Sequence, residues 1–293
     1  MPELPEVETI ARGLNQRVSG DIIESIWLGE KPEPLKSPAP EIAAAVEHTR
    51  ILAVRRVGKH IVFDLARVER VPSPAKSRKY KTPHPEPNRE GFSPRSQFIV
   101  HLGMSGRLQV CDPQSEIVKH THAIAKLASG RELRFVDPRR FGRLSVAASG
   151  DFAAGGIEPL EADLDHFIPL FRGRKTPIKS ALLNQKLLRG VGNIYADESL
   201  FRAKIRPRRR ASSLTREELG RLFTAVQKVL REAIAAGGSS ISDYVDSNGE
   251  EGFFQFKHRV YGREAKPCLT CKTPVKRLVI AGRSSHYCPE CQK

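Results

Sequence analysis

No run of the 293-residue chain approaches the roughly 18 apolar residues of a spanning helix, and the N-terminus lacks an export signal's apolar core. Neither a membrane span nor secretion is therefore expected. Acidic side chains are in deficit, with 33 Asp and Glu against 49 Lys and Arg and a formal net charge of +16. Such an excess favours a polyanionic partner, because phosphate neutralisation supplies most non-specific nucleic-acid affinity. An anionic membrane surface competes for this role, but the basic residues do not form an amphipathic helix with an aromatic face. Cysteine is scarce as well: there are five, and four of them fall between Cys268 and Cys291. That clustering argues against a disulfide framework and for a metal site in a reducing compartment, so a cytoplasmic protein is expected. No internal repeat is present, and the length suits two or three domains rather than one small module.

What is present begins with sheet. "DIIESIWLG", "ILAVRRVGKHIVFDL", "SQFIVHLGMSGRLQV", "HAIAKLASGRELRFVD" and "RRFGRLSV" are short β-branched runs separated by glycine-containing turns, so residues 20–148 read as mostly antiparallel sheet. Ala66 to Gln97 interrupts them with six prolines and eight basic residues and no periodicity, which reads as a flexible loop. After "AASGDFAAGGIEPLEAD", a linker, the pattern turns helical. In "LTREELGRLFTAVQKVLREAIAAGG", Thr215 and Glu218 form a capping box, apolar residues recur at helical spacing from Leu219 to Ala233, and Gly237 supplies the stop.

The most specific local signal is Cys268-x2-Cys271, sixteen residues, then Cys288-x2-Cys291. Four thiolates so spaced suit one tetrahedral zinc on two knuckles, and four protein ligands leave no open position, so the zinc is structural. Between the knuckles, "VKRLVIAGRSSHY" reads as a hairpin whose tip carries Arg283, in reach of a phosphate or simply solvated. Phe171 to Arg210 holds twelve Lys or Arg and two acids. Within it, "RGVGN" breaks one helical pattern and starts another, presenting backbone amides and the Asn193 side chain where a phosphate can bind.

The opening "MPELPEVETIARGL" reads as a helix with Pro5 at the first position, Glu6 and Glu8 in the first turn, and Val7, Ile10, Ala11, Leu14 and Val18 on one face. Pro2 has no helical role. Removal of Met1 would expose a secondary amine titrating near ~8, partly uncharged at neutral pH and nucleophilic. Such an amine attacking a sugar carbon forms an iminium, and adjacent carboxyls can shuttle protons to the opening ring. On these residues alone, catalysis and a plain helix start both stand.

"MPELPEVETIARGL", "HLGMSGRL", "DPRRFGRL", "LLNQKLLRGVGNIYADESLF", "VYGRE" and the four-cysteine end resemble, in order and nearly end to end, the bacterial formamidopyrimidine-DNA glycosylases. The related endonuclease VIII enzymes, which act on oxidised pyrimidines, share the architecture, but "PELPEVE" fits the formamidopyrimidine branch better than their "PEGPE" start. The resemblance implies a bifunctional base-excision-repair enzyme, a DNA glycosylase and abasic-site lyase that removes formamidopyrimidines and 8-oxoguanine through a Schiff base and then cleaves the strand by β,δ-elimination. It implies Pro2 as nucleophile, Glu3 as proton donor, Glu6 in support and Lys59 as a further catalytic, phosphate-binding residue. Met104, Arg139 and Phe141 match the side chains inserted into the duplex where the damaged base leaves. Asn193 and Arg283 match residues that grip the phosphates, Arg283 also serving the second elimination, and His101, His120 and Arg174 match DNA contacts, Arg174 standing where lysine is more usual.

The implied fold is α+β and multidomain. An N-terminal helix and antiparallel β-sandwich (1–150, with the basic insertion 66–97) lead through a linker (151–165) to a helix-two-turn-helix domain with a lesion-capping loop (166–262). A four-cysteine zinc-finger hairpin (263–293) closes the chain. Damaged double-stranded DNA would lie across the cleft of a monomer holding one zinc. The insertion separates Lys59 from Met104 where most members run on almost directly, and is either a DNA-tethering arm or an inert loop. In the capping loop Ser242 replaces a frequent Lys or Arg, which leaves the preferred lesion open. Cys111 reads as a small core residue. A catalytically silent DNA-binding relative could dispense with Pro2 and Glu3, and both are present.

Overall fold

A computed structural model describes residues 1–68, 95–241 and 244–293. Helix α1 (Leu4–Val18) opens the chain, with Glu3 as N-cap and the Glu3 amide donating to Glu6 Oε2 at 2.8 Å. Pro5 thus falls at the second helical position, one later than the sequence suggests. The apolar stripe is buried as its spacing implies, but it serves two cores. Val7, Ile10, Ala11, Leu14 and Val18 pack into the sheet domain, whereas Leu4 packs into the helical domain. The first turn is therefore held from both sides.

The apolar runs form β1 (Ile22–Leu28), β2 (Thr49–Val57), β3 (His60–Arg67), β4 (Ser96–His101), β5 (Arg107–Cys111), β6 (Thr121–Leu127), β7 (Glu132–Val136) and β8 (Arg143–Ala148). They pair antiparallel in one sheet ordered β5-β7-β6-β1-β2-β3-β4-β8. Register shifts in β1, β2 and β6 bend it, and inward residues from all eight strands meet in a single core with α1. The sandwich is one sheet curled over its own apolar face. Helix α2 (Ala39–Val46), which the sequence reading did not anticipate, adds buried Ile42 and Val46. The expected loop 66–97 begins and ends inside strands, because Ala66 and Arg67 belong to β3 and Ser96 and Gln97 to β4. Its centre lies outside the described residues, as does Ser242.

The helical domain comprises α3 (Leu164–Phe167), α4 (Ile178–Leu182), α5 (Asn193–Arg202) and α6 (Arg216–Ala235). The anticipated capping box opens α6: Glu218 N donates to Thr215 Oγ1 at 3.2 Å and Thr215 N to Glu218 Oε2 at 2.9 Å. Gly237, at φ 72°, ends it. The buried Arg56 guanidinium joins this domain to the sheet, lying 2.7 Å from Glu8 and 2.9 Å from Glu158, which Arg189 also reaches at 3.2 Å. At the C-terminus β9 (Lys276–Ile280) and β10 (Arg283–Tyr287) form the hairpin, turned by Ala281 and Gly282 at φ 46° and 73°. Two consecutive positive φ angles fit a type I′ turn. Among the described residues no helix is long and apolar enough to cross a membrane.

Candidate active site between the domains

Several separated stretches converge on one cavity of about 580 Å³, lined by Pro2, Glu3, Glu6, Lys59, His101, Met104, Asn193 and Arg283 among others. Each arrives for a local reason. The capped start of α1 fixes Pro2 and Glu3, the turn between β2 and β3 delivers Lys59, and Arg283 is the first residue of β10, just past the hairpin turn. Asn193 is the first residue of α5, its Nδ2 3.3 Å from Ser284 Oγ and its Oδ1 buried without a partner among the described residues.

The start of α5 does not do what its sequence suggests. Its first free amides face a carboxylate of the same chain rather than an open phosphate site: Ile194 N lies 3.1 Å from Glu3 Oε1 and Tyr195 N 3.5 Å from Glu3 Oε2. The helix dipole that would attract an anion instead receives Glu3. A side chain at Gly192 would displace this carboxylate, because a Cβ would stand 2.2 Å from the Glu3 carboxyl carbon. This meeting answers why so basic a chain begins with acids.

Burial dominates the electrostatics. It raises the Glu3 carboxyl to about 7; Lys59 opposes the rise, Glu6 adds to it, and the two amides of α5 oppose it. Burial also raises Glu6 and lowers Lys59, the latter against the attraction of Glu3. His101 is held down to about 4 by burial and by neighbouring His60, so its ring is neutral, and its Nδ1 accepts from Gly103 N at 3.1 Å. A carboxyl that titrates near neutral pH, a shifted lysine and a proline next to Met1 so arranged can carry acid–base chemistry on an anionic substrate.

Four anticipated DNA contacts lie outside the cavity. Phe141 is exposed, with the Arg139 guanidinium 5.1 Å from its ring centroid, whereas Met104 is exposed at the cavity's edge. Asp137, which the sequence reading missed, binds their loops together: it accepts from Ser105 Oγ at 2.6 Å and from Gly142 N at 2.7 Å. His120 is exposed just before β6, and its carbonyl accepts from Asp137 N, just past the end of β7. Arg174 is also exposed, and its Nε donates to the Leu170 carbonyl at 2.5 Å. Also missed were Tyr195, Ser239 and the fully buried pair Lys179–Asp197, 2.7 Å apart, which fastens α4 and α5 to β10 through the Ser284 carbonyl, Ser285 Oγ and His286 N. The only cue in the sequence was an acid pair inside the apolar pattern of "IYADESLF".

The four Sγ atoms of Cys268, Cys271, Cys288 and Cys291 lie within 4.8 Å of one another, Cys271 and Cys288 at 3.4 Å and Cys268 and Cys291 at 3.9 Å. Tetrahedral Zn–S bonds of about 2.3 Å place sulfurs roughly 3.8 Å apart, so the set fits zinc. Cys111 ends β5, half-buried, with its thiol pushed up by burial.

Family models agree with this layout. The formamidopyrimidine-DNA glycosylase N-terminal domain matches residues 1–144, its H2TH domain 156–245, and a zinc finger found in FPG and IleRS 265–293. A formamidopyrimidine-DNA glycosylase of Solibacter usitatus is 42% identical over the full length of both chains. The chain belongs to the formamidopyrimidine-DNA glycosylase family. Among solved structures, the MutM (FPG) protein of Thermus thermophilus superposes with a TM-score of 0.81 at 40% identity, covering 99% of this chain and 98% of that one. A Lactococcus lactis FPG mutant in complex with Fapy-dG-containing DNA superposes with a TM-score of 0.85 at 29% identity over the whole of both chains. The glycosylase fold is thus matched from Met1 to Lys293, the cavity lying between its first two domains and the finger.

Proposed function

We propose that this glycosylase excises oxidised purines from duplex DNA and cleaves the resulting abasic strand, with Pro2 as the nucleophile. The observation that carries the assignment is the pairing of Pro2 with Glu3, a buried carboxyl held to about 7 at the cavity floor. Once Met1 is removed, the Pro2 nitrogen attacks the anomeric carbon of the damaged nucleotide, and the base leaves with the bonding electron pair and takes up the proton that the Pro2 nitrogen sheds. Glu3 protonates the ring oxygen as the sugar opens, leaving an iminium that undergoes β- and then δ-elimination. Glu6 supports the amine, and Lys59 and Arg283 supply positive charge for the flanking phosphates. Asn193 adds a polar phosphate contact, while Met104, Arg139 and Phe141 fill the space left by the extruded base. His101, His120 and Arg174 extend the DNA contact.

One zinc per chain in the four-cysteine site would hold the hairpin that carries Arg283, and the net charge of +16 supports DNA as partner of a cytoplasmic, monomeric enzyme. Borohydride trapping on duplexes carrying different lesions tests the chemistry and the base preference together. A covalent complex is expected with processed protein and oxidised-purine duplexes. If a chain whose N-terminal amine is blocked traps equally well, the proline mechanism fails.

A further inference from the structure

The Glu6 carboxylate sits under the N-terminus with three donors aimed at it from three elements. Oε2 accepts the Glu3 amide at 2.8 Å, and Oε1 accepts both Ser239 N at 2.8 Å and the hydroxyl of Tyr195. Tyr195 is fully buried in α5, its ring 5.7 Å from that of Phe254, and its hydroxyl meets Glu6 Oε1 far more closely than its other neighbour, Ser239 Oγ at 3.5 Å. The backbone after α6 presses on the same carboxylate: a Cβ on Gly238 would stand 2.9 Å from Glu6 Oε1. Ser239 Oγ in turn meets His258 Nε2 at 3.1 Å, and burial keeps His258 neutral, at about 4. Each of these three groups is a donor, which favours the carboxylate and opposes the burial that raises it.

We propose that Tyr195 is a positioning residue for the reaction, holding Glu6 as the carboxylate that fixes the Glu3 amide and, one peptide plane away, the Pro2 nitrogen. The proposal rests on Pro2 being the nucleophile. With the tyrosine hydroxyl gone, Glu6 loses a donor that favours its charged form and takes up a proton at higher pH. It then releases the Glu3 amide, and the amine loses its fixed approach. The other charged or titratable groups around Glu6 are Glu3 at the same helix start, Lys59 from the β2–β3 turn and Tyr244 beyond α6. Among the described residues, no side chain of these three donates to its carboxylate oxygens, so none substitutes for Tyr195.

The test is single-turnover borohydride trapping of the full-length, processed chain on an abasic-site duplex across about pH 5–9, with DNA affinity and thermal melting measured in parallel. Tyr195→Phe should slow trapping about tenfold at neutral pH and move the acidic limb of the profile upward, with affinity unchanged. In a Glu6→Gln background the same change should have little further effect, as expected of two coupled residues. Where the phenylalanine chain does not fold, 3,5-difluorotyrosine placed at position 195 strengthens the donor without changing the shape, and should move the acidic limb downward. An unmoved limb in both variants, or a loss of rate matching the loss of folded protein, overturns the proposal. Absence of any trapped complex with the wild-type chain sinks the Pro2 mechanism instead, so the two failures are distinguishable.

Discussion

Glu3 lies so tightly against Gly192 that a Cβ on the glycine would stand 2.2 Å from the glutamate's carboxyl carbon. The contact joins the first turn of the sheet domain to the start of a helix in the other domain and places the Glu3 carboxyl. Gly192→Ala should displace Glu3 and cut single-turnover excision by at least ~100-fold, with duplex affinity changed by less than about threefold. An alanine variant that keeps its excision rate would show that the Glu3 position is not fixed by this contact.

The raised Glu3 carboxyl sets a pH dependence with a definite sign. A proton donor at about 7 is spent as pH rises through that value, so excision should fall on the alkaline side. Stability should follow. Between the ordinary 4.5 and the folded 7 the native state holds a proton that the unfolded chain has released, so stability falls as pH rises across this window, by on the order of 3 kcal/mol in all. Glu3→Gln, neutral at every pH, should flatten that slope in denaturant melts between about pH 5 and 8 and abolish excision while sparing binding.

Much of the frame was legible because it is local. Alternating β-branched runs, the Thr215–Glu218 cap and the cysteine spacing each depend on a few neighbours, and each appears where the pattern put it. The long-range pairs were not. Glu3 meets Ile194 and Tyr195 from about 190 positions away, so a helix start that reads as an empty anion site is already filled. The short helix α2 escaped because "SPAPEIAAAVEH" has only one turn of apolar pattern behind its prolines. Lys179 and Asp197 read as ordinary members of a basic stretch until the fold buries both.

That buried pair should be more costly to break than to remove. Lys179→Met leaves the Asp197 carboxylate without its ammonium partner at zero exposure, held only by its Ser285 and His286 donors, and should destabilise the protein by about 3–5 kcal/mol in urea melts. Because Asp197 also holds Ser285 and His286 of β10, DNA affinity should fall through Arg283. Lys179→Met with Asp197→Leu should recover much of the stability but not the affinity.

Zinc should behave as part of the fold. Metal analysis of freshly purified protein should give about one zinc per chain, and Cys268→Ser or strong chelation should unfold the finger and weaken binding to damaged and undamaged duplexes alike. The small core that the finger shares with Phe201 and Val260 would not hold it without the metal. Full DNA affinity in metal-free protein would overturn this view.

Met104 and Phe141 expose 39% and 48% of their surfaces, and Asp137 ties their loops rigidly together. Exposed apolar groups on loops so tied suit insertion between bases, where they would offset the few kcal/mol of stacking lost when a nucleotide is extruded. The gain matters only when a base has to be extruded. Met104→Ala and Phe141→Ala should therefore slow excision from a lesion duplex by at least ~10-fold while slowing borohydride trapping on an abasic-site duplex less than about threefold, since no base remains to be flipped there. Asp137→Asn, which weakens the tie between the loops without removing either wedge, should fall between. Equal losses on both duplexes would mean that these side chains serve general binding or the chemical step, and the wedge assignment would have to be withdrawn.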